Sequence, residues 1–531
     1  MRFFKKSLKN RSMSIQTKQF QDSTMGDKLN KSLKENIKIV KEALGNSDDI
    51  IIREIRIGKK REMKAGIFYA DGLTDAPSIQ NFILESLMLD IREMELDKIE
   101  HLDENPLQLF KDSVLTVGEL KDLTEYSTLY TSLLAGDVIL LFDGYSQGFA
   151  IGMKGGKDRG VSEATTENTI RGPKEAYSES LRTNTALLRR KINNHNLWLE
   201  TKKIGTVTKT DVSIAYIKDI ANDKVVQEVR NRLDKINIDG ILDAGYLEEL
   251  IQDDTYTPFP TIFHTERPDV TAANLLEGRI AIFVNGSPHA LLVPSLFVQF
   301  FQTADDYYQR ADIVTLLRIL RFIGFFIALL GPSLYIAITT FHQEMLPTPL
   351  LINLAAQREG VPFPAFVEAL MMEITFEILR EAGVRMPRTI GQAVSIVGTL
   401  VIGTAAVDAG IVSAAMVIVV AITAISSFIV SSFNLAISVR MLRFIFMGLA
   451  ASFGLFGIIV GLTALTLHLC SLRSFGIPYL YPFAPFNAED QKDAVFRFPR
   501  WALFSRPRLI NQKNVKRENT PSPKPGSRKK D

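Results

Sequence analysis

The chain has 531 residues, with 62 Lys and Arg against 59 Asp and Glu, a net charge of +3. That length exceeds what one hydrophobic core organises, so two or three domains are expected. A charge so near balance, with no basic stripe interleaved with aromatics, excludes a nucleic-acid partner, and the single cysteine, Cys470, excludes an internal disulfide and a multi-thiolate metal site.

Residues 1–48 open on MRFFKKSLKNRSMSIQTKQ, basic and polar with no apolar core, which predicts a flexible solvated arm rather than a cleaved signal. From about residue 50 to 310 strand-like and helix-like pieces alternate, which predicts α/β packing. Two stretches match at an offset of 142: LLAGDVILLFDGYSQGFAI from Leu133 and LLEGRIAIFVNGSPHALLV from Leu275. Each carries Asp-Gly or Asn-Gly between apolar strands, at Asp143-Gly144 and Asn285-Gly286, a strong hairpin signal because both residue types tolerate positive φ. Upstream, Gly66–Leu87 and Ser213–Leu233 both read strand, loop, helix, with Asp75 and Asn222 placed as N-caps. The expectation is two similar α/β subdomains, 49–155 and 156–313.

Candidate chemistry in this region is thin. Gly144-Tyr145-Ser146-Gln147-Gly148 fits a nucleophile elbow only in spelling, since a strand rather than a helix follows. Gly152–Gly160 approximates a phosphate loop but is one residue short between glycines and has Asp158 where Ser or Thr belongs. The six histidines (101, 195, 264, 289, 342 and 468) show no metal-ligand spacing with one another or with Cys470. No catalytic residue, cofactor site or metal site is expected.

The apolar block, 314–475, differs. Phe322–Phe341 runs for twenty residues without a charge, the length a helix needs to cross a bilayer. Gly331-Pro332 should kink it, which membrane helices tolerate where neighbours or waters re-satisfy the freed carbonyl. Uncharged runs follow at Thr389–Val407, Ala409–Val439 and Phe444–Leu472, giving about four spans. Basic residues flank both ends of the block, at Arg318 and Arg321 and in a tail with about a dozen Lys and Arg. Both termini are therefore expected to be cytoplasmic, although four spans would put Arg440 and Arg443 outside. Between the first two spans, residues 361–383 read as a helix with Glu373, Glu377 and Glu381 on one face and Arg380 at its edge. Either that helix lies in the interface with its acids in water, or the acids face a polar path where repeated carboxylates favour cations. IPYLYPFAPF, 477–486, reads as an interfacial anchor, and the tail from Gln512 as a disordered basic end.

Several long stretches carry a resemblance: Ile170–Ile192, Arg267–Pro288, Phe341–Gly383, Ile390–Gly398 and PFAP at 482–485. They resemble the A subunit of nutrient-responsive spore germination receptors, the GerA family, over about residues 50–490. The resemblance implies an inner-membrane receptor subunit of a bacterial spore that works with a transporter-like B subunit and a lipoprotein C subunit. It further implies a homo-oligomer acting as a ligand-gated cation channel, with no catalytic residues and with nutrient recognition assigned to the B subunit. A non-conducting scaffold subunit is the other reading. Within the best-matching soluble motif, Arg171, Gly172, Pro173, Glu179, Asn184 and Arg189 form either a turn and a solvated helix or a contact between subdomains or subunits.

Overall fold

The computed structural model describes residues 28–57, 63–79, 119–155, 164, 166–167, 169–386, 403–511, 514–518 and 520–521. Residues 1–27 of the expected N-terminal arm and most of the span Thr389–Val407 lie outside them, whereas residues 28–48, also expected in the flexible arm, instead carry a helix whose Leu33, Ile37 and Val40 are buried in a hydrophobic core. The chain divides into two units, Met1–Lys157 with Ile192–His195, and the remainder.

The first unit holds α1 (Leu33–Ala43), β1 (Ile50–Ile57), β2 (Met63–Ala70), α2 (Ala76–Ser78), β3 (Leu120–Leu123), α3 (Tyr126–Leu134), β4 (Val138–Phe142) and β5 (Gly148–Ile151). The strands form one sheet in the order β1-β2-β4-β5-β3, and every pairing is antiparallel. β4, VILLF, is wholly buried because both its faces are covered. One face packs among Ile67, Leu140 and Phe149, and the other meets Val40 of α1 and Leu129 of α3.

The second unit begins with α4 (Leu181–Lys191), β6 (Leu197–Ile204), β7 (Thr210–Ile217), α5 (Asp223–Asp234), α6 (Ala244–Ile251), β8 (Phe263–Thr265), α7 (Pro268–Leu275), β9 (Ile280–Val284) and β10 (Ala290–Val293). Its sheet, β6-β7-β9-β10-β8, repeats the order of the first, and β4 and β5 reappear as β9 and β10 at the same offset of 142. The hairpin glycines Gly144 and Gly286 take φ of 94° and 95°, a left-handed conformation that only glycine adopts at little cost. Asn222 caps α5, its side chain accepting from the Lys224 amide.

Each sheet also carries a preceding helix, fastened identically. Asp143 Oδ1 accepts the Leu33 amide of α1 at 3.0 Å, and Asn285 Oδ1 accepts the Leu181 amide of α4 at 3.2 Å. The Gly144 amide reaches the Lys31 carbonyl and the Gly286 amide the Glu179 carbonyl, both at 2.8 Å. The hairpin side chain therefore caps the helix while its glycine amide grips the incoming chain.

The apolar block consists of α8 (Ala311–Phe341), α9 (Thr348–Arg358), α10 (Ala365–Arg385), α11 (Gly403–Asp408), α12 (Ala414–Ile429) and α13 (Phe433–Ser471). Among the described residues two helices, α8 and α13, are long and apolar enough to cross a membrane, whereas the 16-residue α12 is shorter. Large apolar side chains stand exposed along them, including Leu316, Ile323 and Phe326 on α8 and Ile445, Phe456 and Leu467 on α13.

α13 departs from the expected division at Arg440 and Arg443: helix runs straight through both arginines, and the chain folds back at Gly454. Gly454 takes φ 58°, ψ −140° inside the helix. A Cβ on Gly457 would overlap the Leu449 carbonyl oxygen, and one on Gly461 would come 2.8 Å from the Phe446 ring, so the two arms pack antiparallel. Their outer ends meet one strip of the second subdomain. Ser438 donates to the Pro258 carbonyl, and His468 Nε2 lies 2.9 Å from Thr257 Oγ1. The turn itself abuts the far end of α8, where a Cβ on Gly454 would lie 2.8 Å from His342.

The segment expected as an interfacial anchor turns inward instead. Tyr479 is fully buried and packs edge-on to Phe297 at 5.9 Å, while Phe483 meets Phe322 at 6.3 Å. One continuous core therefore joins the second subdomain to the bundle, running from Phe259 and Phe300 through Leu329 and Phe446 to Tyr479.

Candidate functional site

Charged side chains inside an apolar bundle are the feature that packing alone does not explain, because burying an ion without a partner costs several kcal/mol. α10 supplies three acids, each met by an arginine. Glu373 and Arg443 of α13 are 0 % and 1 % exposed as side chains and pair at 2.5 Å. One turn on, Glu377 pairs with Arg440 at 2.6 Å. One turn back, Glu368 is fully buried, lies 3.3 Å from Arg358 of α9, and accepts from the amide and hydroxyl of Ser413 at 3.1 and 2.9 Å. Ser413 is the N-cap of α12, so the Glu368 carboxylate sits at a helix N-terminus, where the backbone dipole favours an anion.

The predicted acidic face is thus divided. Glu373 and Glu377 point into the bundle, whereas Glu381 stays exposed and pairs with Arg385 at 2.6 Å. Apart from Glu381, the acids of α10 turn away from water: the helix runs alongside α12 and α13, and Arg380 stacks over Phe428 of α12 at 5.6 Å. Arg358, Arg440 and Arg443 were not picked out from sequence as partners. Their signal was present as arginines that interrupt otherwise uncharged runs.

Arg443 has a second contact. Pro332 lies inside α8 and lacks the N–H that would reach the carbonyl four residues back. That carbonyl belongs to Ala328, and Arg443 Nε donates to it at 2.7 Å. Gly331 permits close approach on the same side: a Cβ there would lie 2.7 Å from Thr423 Oγ1 of α12. The freed carbonyl expected at this pair is satisfied by a side chain from a neighbouring helix.

Where the bundle meets the subdomain, a second buried network forms. Asp306, 1 % exposed, accepts from Arg318 Nε at 2.9 Å and Arg321 Nη1 at 2.8 Å. Arg318 also donates to Asp493 Oδ1 at 2.8 Å and to the Ala494 carbonyl at 3.1 Å, tying the C-terminal segment to the start of α8. Burial alone would raise the Asp306 carboxyl, but the Arg321 and Arg318 bonds outweigh it and hold it below the usual range.

A third cluster lies beside the first turn of α13. His264 Nδ1 stands 3.9 Å from Glu248 Oε2 and 3.5 Å from Asn434 Nδ2. Burial, with Asp243 nearby, pushes Glu248 up from 4.5 to about 7. Burial, with His289, pushes His264 down from 6.5 to about 4. A raised carboxyl gives stability that is lost as pH climbs from about 4.5 through 7, and a lowered histidine gives stability that is lost as pH falls through 6.5. Glu248→Gln removes the first and leaves the second, so its unfolding midpoint should gain on wild type from pH 5 to about pH 7 and level off above it. A difference that stays flat across that range would show that Glu248 is ordinary.

Several residues of the soluble motif have partners within the second unit. Asn184 brackets its turn, accepting from the Ser178 amide at 2.8 Å and donating to the Ser178 carbonyl at 2.6 Å, as Asn36 does with Asn30 in the first subdomain. The Pro173 carbonyl accepts from Arg267 at 2.7 Å. Gly172, at φ 128°, lies against the Tyr308 ring, which a Cβ would approach to 2.6 Å. The Arg171 amide meets Asp305 at 3.2 Å. Glu179 is exposed and Arg189 buried.

Among the described residues no group of histidines, cysteines and carboxylates is arranged to hold a metal ion.

Residues 38–509 match the family model described as Bacillus/Clostridium GerA spore germination protein. The chain is 48% identical over 487 residues to spore germination protein KA of Bacillus subtilis (strain 168), covering 92% of this chain and 88% of that one. It is 37% identical to spore germination protein GerLA of Bacillus cereus, over 91% and 96% of the two chains. The crystal structure of the N-terminal domain of the A subunit of the Bacillus megaterium spore germinant receptor GerK3 covers 52% of this chain and 99% of its own, at 43% identity and a TM-score of 0.41.

Proposed function

This chain belongs to the GerA family of spore germination proteins, and from that premise we propose that it is the A subunit of a nutrient receptor in the spore inner membrane whose bundle conducts monovalent cations. The observation that carries this is the row of ionisable residues along α10 within the apolar bundle, Glu368, Glu373 and Glu377 facing Arg358, Arg443 and Arg440. Charges at such depth are costly and belong to ion paths and switches more often than to structural cores. The chain is not an enzyme in this reading. A transporter-like B subunit takes the nutrient, a lipoprotein C subunit completes the receptor, and several copies of this chain surround the path.

The topology fits. α8 runs away from the subdomain, both outer ends of α13 return to Thr257 and Pro258, and the C-terminal segment docks on Asp306 through Arg318. Both ends of the bundle then lie on one side, which requires an even number of crossings. The uncharged run Thr389–Val407 is counted among them from its sequence alone.

A second reading, a scaffold that assembles the receptor while the B subunit moves ions, is favoured by the same pairs, since Glu373 and Glu377 are neutralised within their own chain. Potassium flux through liposomes holding only the full-length chain separates the two. The conducting reading expects a measurable cation leak, and the scaffold reading expects liposomes as tight as protein-free controls.

A further inference from the structure

We propose that Arg443 is a catch: one guanidinium that satisfies the proline break of α8 and holds α10 in place, so that neither can move without the other. Nε donates to the Ala328 carbonyl at 2.7 Å, the acceptor that Pro332 leaves bare, and Nη1 holds Glu373. The side chains are 1 % and 0 % exposed, so water does not stand in for either contact. Withdrawing α10 strands a buried cation, and shifting the break strands a buried carbonyl. The remaining polar atoms, Arg443 Nη2 and Glu373 Oε1, have no hydrogen-bond partner among the described residues.

The structural coupling stands on geometry alone. Its consequence, that α10 is the moving element which opens an ion path, rests on the conducting reading above.

A double-mutant cycle on the full-length chain in detergent tests the coupling. Arg443→Met should lower the thermal midpoint by on the order of 5–10 °C. Pro332→Ala restores an N–H to the Ala328 carbonyl, so the same Arg443→Met change should cost clearly less in that background, leaving only the Glu373 part. Glu373→Gln added to the pair should recover most of the rest. An equal loss in both proline and alanine backgrounds would overturn the proposal. If Arg443→Met does not yield folded protein, Arg443→Lys runs the same cycle, because a single ammonium on a shorter stem cannot serve both acceptors. The gating part is read separately, as potassium efflux from liposomes of the Arg443→Lys chain, expected faster than wild type. A coupled cycle with no efflux from any variant, wild type included, would remove the conducting reading and leave the coupling standing; an efflux equal to a conducting wild type would remove α10 as the gate.

Discussion

Replacing Arg318 with methionine is expected to cost about 3–5 kcal/mol, the range for removing one partner of a buried ion pair. Three strands of the molecule converge on that guanidinium: the turn at Asp306, the start of α8, and the C-terminal segment at Asp493 and Ala494. Methionine keeps most of the apolar stem. The loss is therefore electrostatic and hydrogen-bonded, with Asp306 left to Arg321 and to Thr303, and Asp493 left to the Tyr307 hydroxyl at 2.8 Å. Two readouts should move together. The thermal midpoint of the full-length protein should fall, and limited proteolysis should open the C-terminal segment near Asp493 well before the subdomains. Arg318→Lys, which keeps the charge but loses the fork, should fall between wild type and Arg318→Met. A change below about 1 kcal/mol, the size of an exposed pair, would mean that the segment is held by its aromatic packing and that the network is incidental.

Much of this fold was legible in the sequence, for reasons that differ from element to element. Asp143-Gly144 and Asn285-Gly286 announced two hairpins because their conformational demands are local, and the shared offset of 142 followed from them. Local rules also placed Asn222. Of the helices that precede the sheets, α4 was one of two readings of its motif, whereas α1 was placed in the flexible arm, because what marks it is a reciprocal bond between Asn36 and a turn six residues earlier, and no local periodicity records it. The resemblance of α10 to an amphipathic helix was real in one dimension only. Four-residue spacing puts Glu373 and Glu377 on one face, but whether that face meets water or arginine depends on helices that lie far along the chain. Arg440 and Arg443 looked like the ends of spans for the same reason. A charge in an apolar run marks either a boundary or a partner, and only the position of α10 decides between them. Gly454 was invisible as a turn because its neighbours are as apolar as a helix interior, and a glycine there reads as tolerated small-residue packing. Pro332 was the opposite case. Its freed carbonyl called for a neighbour or a water on chemical grounds, and Arg443 is what fills the place.

The role of α10 gives the sharpest expectation for ion movement. Glu373→Gln keeps the shape of the side chain but removes the charge that Arg443 faces. A hydrogen bond between charged groups contributes about 1.5–3 kcal/mol. Weakening it in the closed arrangement alone shifts the balance toward the open one by roughly tenfold or more. Glu377→Gln should act in the same direction but less, since Glu377 and Arg440 are 26 % and 16 % exposed and already partly screened. Glu381→Gln, at the exposed pair with Arg385, should change little and serves as a control on the same helix.

Unstimulated potassium efflux from liposomes carrying equal amounts of assembled wild-type and Glu373→Gln protein tests the account most directly. The account predicts a slow leak from wild type, an efflux roughly tenfold faster from Glu373→Gln, and a Glu381→Gln chain indistinguishable from wild type. Liposomes that remain equally tight with all three proteins, each shown to be folded and inserted, would contradict it and leave this chain as the scaffold of its receptor.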